Sequence, residues 1–221
     1  ALKEVLSDRR VWALFVIYGA CFGLELTINN IAALYYHDRF GLSLGIAGAI
    51  AGLFGLMNIF ARTLGGYFGD KIGIRFGLRG RVLFLGVVIF IEGLALILFS
   101  QMAVLVLAIP AMILFGIFVQ MSSGATYSVV PFINRKAIGT VAGIVGAGGN
   151  LGAVAAGFLF KVESIDSPTF FLILGVAVLA VSSLALTVRF TPAQENEQRQ
   201  QLENALRQKS AAPQPAANYG D

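Results

Sequence analysis

The chain has 221 residues, of which 57% are hydrophobic and only 13% are charged. This composition excludes a soluble globular domain and indicates a membrane protein. The formal net charge of +4 comes largely from two short basic segments, which we interpret as signals of membrane orientation rather than of nucleic-acid binding.

Apolar stretches of about 20 residues recur along the chain, and each is long enough to cross a bilayer as a helix. Stretches such as VLFLGVVIF do not alternate between apolar and polar residues, so strands of a membrane barrel are excluded. The sequence therefore predicts an all-α membrane protein with a transmembrane unit at 1–190. Its six transmembrane helices are expected at residues 12–36, 44–70, 82–100, 103–130, 138–160 and 169–190.

Lys and Arg concentrate in two of the predicted loops. Residues 71–81 carry four basic residues and no acid, and residues 133–137 carry two more. The positive-inside rule places both loops in the cytoplasm, so both ends of this segment are also expected there, in a protein of the cytoplasmic (inner) membrane.

Residues 191–221 change abruptly to polar composition and are expected to form a partly disordered cytoplasmic tail. Thr191, Pro192 and Gln194 have the pattern of a helix start, which predicts a short surface helix to about Lys209. The chain begins with Ala and shows no signal-peptide cleavage site, so we expect it to be a piece of a longer protein.

Arg62 lies in the second predicted span, about eight residues before the cytoplasmic end of that span at Asp70. A guanidinium keeps its charge at that depth, at a cost of about 2.5–3.5 kcal/mol or more, and therefore needs a counter-anion. Arg62 either reaches the interface, pairs with a buried acid (Glu25 or Glu92), or binds an anionic substrate. Asn58, one turn earlier on the same face, favours a polar cavity wall and hence the substrate.

The first predicted span carries aromatic and polar side chains on one helical face, formed by Tyr18, Phe22, Glu25 and Asn29. Such a face avoids lipid. It lines either a polar seam between helices or a cavity, and both interpretations stay open at this point.

The fifth predicted span is crowded with glycines, each of which costs nearly 1 kcal/mol relative to Ala in a helix in water. Gly139 and Gly143 fit close packing of helices. Asn150, next to Gly149 and one turn after Gly146, favours a binding surface, because its amide can donate to an oxygen of a small anion.

Three isolated groups carry no site of their own. Cys21 is the only cysteine and His37 the only histidine, so we expect no disulfide, no metal site, no cofactor and no enzymatic activity. Glu92, an isolated acid in the third predicted span, is either a proton carrier or a residue held by a neighbouring helix.

Residues 65–75, GGYFGDKIGIR, resemble the cytoplasmic loop motif of the major facilitator superfamily, which lies between the second and third helices of each six-helix half. The resemblance implies a conformational role for the motif, as a latch that changes partners when the two halves move. The motif residues are Gly66, Asp70, Lys71, Gly73 and Arg75.

Three stretches, YGACFGLELTINNIAALYYHDRFGLS, AGLFGLMNIFARTLGG and AGIVGAGGNLGA, narrow the resemblance to the C-terminal half of the nitrate/nitrite porter family, over about residues 10–190. The resemblance implies alternating-access transport of nitrate and nitrite by two six-helix halves, of which the N-terminal one is missing from this chain. It makes Arg62 a nitrate ligand, matches Asn150 to the family's glycine-rich nitrate signature, and makes Tyr18 and Phe22 candidate walls for a planar anion. Glu25 is the candidate coupling group if protons are transported as well.

Two other functions remain compatible with the residues. A carrier of another small anion would keep the fold and change the substrate. A six-span channel or sensor is the other alternative, although the loop motif has no role in a pore.

Overall fold

The structure is a computed structural model that describes residues 2–211. Residues up to Arg189 form one compact unit, and those from Phe190 onward form a second. The helices are α1 (Leu2–Ser7), α2 (Arg9–Phe40), α3 (Leu44–Ser100), α4 (Leu105–Val129), α5 (Ile138–Phe160), α6 (Ser167–Ser182) and α7 (Pro192–Ala211), with short 3₁₀ segments at Val130–Phe132, Arg135–Ala137 and Ser183–Thr187. The prediction of an all-helical protein is confirmed.

Five helices within residues 2–211 are long and apolar enough to cross a membrane. Four of the six predicted spans fall on one such helix each, whereas the predicted spans 44–70 and 82–100 share α3. A straight helix of the length of α3 would extend about 85 Å, far beyond the thickness of a bilayer.

Gly77 interrupts α3. Its φ of 73° and ψ of −166° are not helical, and a positive φ is a backbone conformation that glycine adopts readily. The prediction of a loop over 71–81 is therefore wrong in extent, because the chain is helical on both sides of this single glycine. The break divides α3 into a first part, Leu44 to Phe76, and a second part, Leu78 to Ser100.

Side-chain caps define where several helices begin. Asp8 accepts from the Arg10 backbone N–H at 2.9 Å at the start of α2, and Asp166 accepts from that of Thr169 at 3.2 Å at the start of α6. Ser43 caps α3 in the same way. In each case a short polar side chain at the N-cap accepts from a backbone N–H of the first turn, so the residue at that position helps to set the helix start.

Close helix contacts determine which faces meet. A Cβ added to Gly124 of α4 would overlap the carbonyl oxygen of Arg62, so α4 crosses α3 directly at Arg62. Gly148 and Gly152 of α5 approach the backbone of α2 at Phe15 and Gly19 in the same way. These crossings bring α2, the first part of α3, α4 and α5 around one region.

The second unit contains α7, whose start has the predicted capping arrangement. The Gln194 N–H donates to Thr191 Oγ1 at 3.3 Å, and the Thr191 N–H donates to Gln194 Oε1 at 3.1 Å. Disorder was expected over the last dozen residues, 210–221. Ser210 and Ala211 instead belong to α7, and residues 212–221 lie outside the described residues.

Candidate anion-binding site

Arg62 on the first part of α3 forms an ion pair with Glu25 on α2. Its Nη2 donates to Glu25 Oε2 at 2.5 Å, and Asn58 Nδ2 donates to Glu25 Oε1 at 2.8 Å. Both carboxylate oxygens are therefore engaged. The sequence left three explanations for Arg62 open: reaching the interface, pairing with a buried acid, or binding an anionic substrate. The structure shows a pair with a buried acid, Glu25.

The two members of this pair differ strongly in exposure. The Glu25 side chain is 3% exposed, whereas that of Arg62 is 35% exposed. Arg62 lines a cleft of about 410 Å³ between α3 and α4, together with Gly66, Gly124 and Tyr127. Its Nε is buried and has no hydrogen-bond partner among the described residues. The guanidinium thus retains a donor that Glu25 does not use.

Aromatic rings surround the pair on the side of α2. The guanidinium lies 5.2 Å from the centre of the Phe22 ring, a favourable cation–π distance. Tyr18 stacks on Phe22 at 5.1 Å with the planes 8° apart, and Tyr127 meets Tyr18 edge-on at 5.0 Å. The candidate walls Tyr18 and Phe22 stack on each other in this structure, and Phe22 turns toward the cation.

The glycines of α5 make room for these rings. A Cβ on Gly149 would lie 2.5 Å from Phe22 Cδ1 and 3.0 Å from Tyr18 Cδ1, and one on Gly146 would lie 3.4 Å from Tyr127 Oη. Asn150, about 100° further round the helix, is exposed. The structure therefore groups Gly146 and Gly149 with the rings and leaves Asn150 on an outer face.

Tyr127 and Gly124 are site residues that the sequence interpretation did not select. A detectable signal was present, because Gln120, Ser123 and Tyr127 follow one another at helical spacing in the second half of a helix whose first half is apolar. This polar face of α4 turns toward Arg62 and Glu25.

A second ion pair forms at the loop motif, near the Gly77 break. Arg81 pairs with Asp70, and Arg81 Nη1 also donates to the Ser128 carbonyl oxygen at 3.2 Å. The Arg81 guanidinium lies 4.7 Å from the centre of the Phe132 ring, and Gly73 leaves the space that it occupies. Asp70 borders the same cleft as Arg62.

Of the predicted motif residues, Gly66, Asp70 and Gly73 lie at the cleft or at this pair. Lys71 and Arg75 instead lie over aromatic rings of their own helix, at 5.7 Å from the centre of the Tyr67 ring and 5.4 Å from that of Phe76. Arg81 was noticed in the sequence only as one of several basic residues.

Among the described residues, no group of three or more His, Cys, Asp or Glu side chains lies close enough to hold a metal ion. The chemistry of the region is that of one partly exposed guanidinium with an unused donor, an internal carboxylate and an aromatic surface. That combination suits a small planar anion.

Three curated relatives are nitrate transporters by name. High affinity nitrate transporter 2.5 of Arabidopsis thaliana is 42% identical over 182 residues, which cover 82% of this chain and 36% of the relative. Nitrate transporter 2.2 of Chlamydomonas reinhardtii is 38% identical over 196 residues, covering 86% and 38%. Nitrate/nitrite transporter NrtP of Nostoc punctiforme is 32% identical over 202 residues, covering 89% and 39%.

The chain spans between a third and two fifths of the length of these relatives. The resemblance to the nitrate/nitrite porters is confirmed by the three similarities. A model of the Major Facilitator Superfamily matches residues 16–218, which is most of the sequence. The chain therefore belongs to the major facilitator superfamily.

Proposed function

We propose that this chain is the nitrate-binding part of a secondary membrane transporter that also carries nitrite. The observation that carries the proposal is the state of Arg62. It is partly exposed to a cleft and keeps a donor without a protein partner, although it pairs with Glu25. A purely structural arginine would have its charge enclosed, as Arg81 has at 7% exposure, whereas the Arg62 side chain is 35% exposed.

Nitrate would bind by competing with Glu25 for the guanidinium. The anion is planar, and the planar fork of Arg62 can donate to two of its oxygens from Nε and one Nη. The Phe22 face bounds this position on one side, and Gly146 and Gly149 keep the neighbouring rings in place. Asn58 stays with the Glu25 carboxylate when the arginine changes partner.

Glu25 is then the group that couples anion binding to a proton. Once nitrate has taken Arg62, the buried carboxylate loses its cation and ionisation becomes costly. A proton from hydronium forms an O–H bond on Glu25 and leaves water, so nitrate and a proton are bound together. Exchange of nitrate for nitrite would need no such step.

The architecture we propose is a six-helix half of a twelve-helix transporter. Gly77 supplies the turn that converts α3 into two spans, which together with the four other apolar helices makes six. The basic residues around Gly77 would lie in the cytoplasm, with both ends of this segment on that side of the inner membrane. This half is the C-terminal one, and the Asp70–Arg81 pair is its latch.

A second half would close the site and rock against this one, giving alternating access. Asn150 lies on an exposed face of α5, from which it would reach the anion only when that half is present. Its predicted role as a ligand therefore depends on the complete transporter.

The test is nitrate uptake by the complete transporter carrying Arg62→Lys. This variant keeps the charge and removes the planar fork, so we expect uptake at limiting nitrate to fall by at least tenfold. Arg189→Lys is the matched control, because Arg189 is exposed, bonds the Leu186 carbonyl oxygen nearby in sequence and should tolerate the change. Normal uptake by Arg62→Lys would overturn the assignment of the site.

A carrier of another small anion is the second candidate, since the cleft of about 410 Å³ exceeds the volume of nitrate. A competition binding experiment distinguishes a nitrate carrier from a carrier of another small anion. If excess nitrate leaves Arg62-dependent binding of a labelled organic acid unchanged, nitrate is not the substrate.

A further inference from the structure

Glu92, on the second part of α3, is a carboxyl group that the proposed anion site does not use. The residue is 0% exposed, and neither carboxyl oxygen has a hydrogen-bond partner within residues 2–211. Most buried carboxylates in proteins are paired or fully hydrogen-bonded, because ionisation away from water is otherwise very unfavourable. Glu92 therefore needs either a bound proton or a ligand that the protein itself does not supply.

The surroundings of Glu92 offer no cation. Cys21 and Glu25 of α2 and Ser122 of α4 are its polar neighbours. The other helices packed against it, α4 and α6, contain no Asp, Glu, Lys, Arg or His. The titratable groups that face it are thus Cys21 and Glu25, and a negative charge on Glu25 further disfavours one on Glu92. Because a carboxylic acid with a bound proton is neutral, a proton is the ligand that fits these surroundings.

Polar side chains of α4 without hydrogen-bond partners among the described residues lie beside the ion pair. Gln120 and Ser123 of α4 are 0% and 1% exposed and lie beside the Glu25 carboxylate. Neither amide atom of Gln120 has a hydrogen-bond partner, and the Ser123 hydroxyl has none. Buried polar groups in this condition commonly hold internal water, which makes two to four hydrogen bonds to such atoms. Gln120 and Ser123 therefore border Glu25, and Cys21 and Ser122 border Glu92, in a polar region shared by the two acids.

We propose that Glu92 is a buried proton-binding site that exchanges its proton with Glu25 through Gln120, Ser123 and internal water. The inference rests on the proposed function, since it concerns the proton that Glu25 receives when nitrate takes Arg62. In the exchange the O–H bond on Glu92 breaks and an O–H bond on Glu25 forms. Glu92 then regains a proton from hydronium, which leaves as water.

The experiment measures nitrate binding and nitrate-driven proton uptake by the complete transporter in liposomes that contain a pH-sensitive dye. Glu92→Gln keeps the size and the neutral form of the side chain but cannot release a proton. We expect it to bind nitrate within twofold of the unmodified protein and to take up protons at least tenfold more slowly. Proton uptake at the unmodified rate by this variant would overturn the inference.

Ser100→Ala is the matched control on the same part of α3, because Ser100 bonds the Ile97 carbonyl oxygen of its own helix. It should leave both binding and proton uptake unchanged. If the unmodified protein binds no nitrate, the proposed function fails, and this result is distinct from loss of proton uptake with binding intact.

Infrared difference spectroscopy of the unmodified protein gives a second measurement that does not depend on the folding of a variant. In the nitrate-free protein, where Glu25 is paired with Arg62, the Glu92 proton should give the carbonyl band of a protonated, water-inaccessible carboxylic acid, and the band should shift between ordinary and deuterated water. A spectrum without any such band would show that Glu92 is ionised and would contradict the proposal.

Discussion

The helix α3 carries the arginines of two arginine–carboxylate pairs, Arg62–Glu25 and Arg81–Asp70, in which opposite members are buried. In the first pair the arginine side chain is 35% exposed and the acid 3%. In the second the arginine is 7% exposed and the acid 62%. Each arginine lies over a phenylalanine ring, so the two pairs are alike in composition and differ in which member faces outward.

The exposed member of each pair is the one that can change partner, because it can be approached without opening the core. Arg62 faces the cleft and can accept an external anion in place of Glu25. Asp70 faces outward and can accept another cation in place of Arg81. The first pair is therefore suited to binding substrate, and the second to a conformational contact.

The largest expected effect comes from removing the exposed member of the first pair. Arg62→Ala leaves Glu25 buried without a cation, which should destabilise the protein by about 2–4 kcal/mol. The double variant Arg62→Ala/Glu25→Gln should recover most of this loss, since it removes the unpaired charge. Thermal unfolding of the purified complete transporter measures both, and equal destabilisation of the two would show that the loss comes from packing on Phe22.

An intermediate effect is expected when the acids of the two pairs are neutralised. Glu25→Gln removes the internal competitor of nitrate and should tighten nitrate binding about tenfold, or about 1.4 kcal/mol. Asp70→Asn is the matched change in the second pair and should leave nitrate affinity within twofold while slowing uptake. Calorimetric titration measures the affinities. Weaker binding in Glu25→Gln would mean that the carboxylate positions Arg62 rather than competing with the anion.

The smallest effect is expected from the rings beneath the arginines. Phe22→Leu removes a cation–π contact of about 0.5–1 kcal/mol and should weaken nitrate binding two- to fivefold. Phe132→Leu removes the corresponding contact of Arg81. Phe132 borders the same cleft as Arg62, but Arg81 is the arginine that lies over its ring, so nitrate affinity should stay within twofold, with a small loss of stability. Nitrate binding to the two variants, measured side by side, tests whether only the first pair belongs to the binding site. An equal loss of nitrate affinity in both variants would mean that the binding site is not confined to the first pair.

The sequence supported several elements of the fold and the site because they depend on local properties. Apolar length predicted the long apolar helices, and the pattern of Thr191, Pro192 and Gln194 predicted the capped start of α7. A permanent charge inside an apolar segment showed that Arg62 must have an anionic partner. The helical spacing of Tyr18, Phe22 and Glu25 placed them on one face, which the structure directs toward Arg62.

Other features depended on contacts between distant parts of the chain. Composition did not distinguish a loop over 71–81 from two helices joined at Gly77, since one residue with a positive φ is enough for the turn. Tyr127 was overlooked because its role arises from the close crossing of α3 and α4 at Gly124. Asn150 and Gly149 are neighbours in sequence, and only the packing of α5 shows that they face different ways.

The sequence by itself determined that this is a helical membrane protein with a guanidinium at depth, because hydropathy and charge are properties of single segments. Only the tertiary structure decided that Glu25, and not Glu92, is the partner of Arg62, and that Asp70 pairs with Arg81. In the sequence, Glu25 and Glu92 both lie inside predicted spans and both carry a carboxylate that could pair with Arg62. The choice between them follows from which helix faces meet, and these are set by close contacts at glycines far apart in the chain.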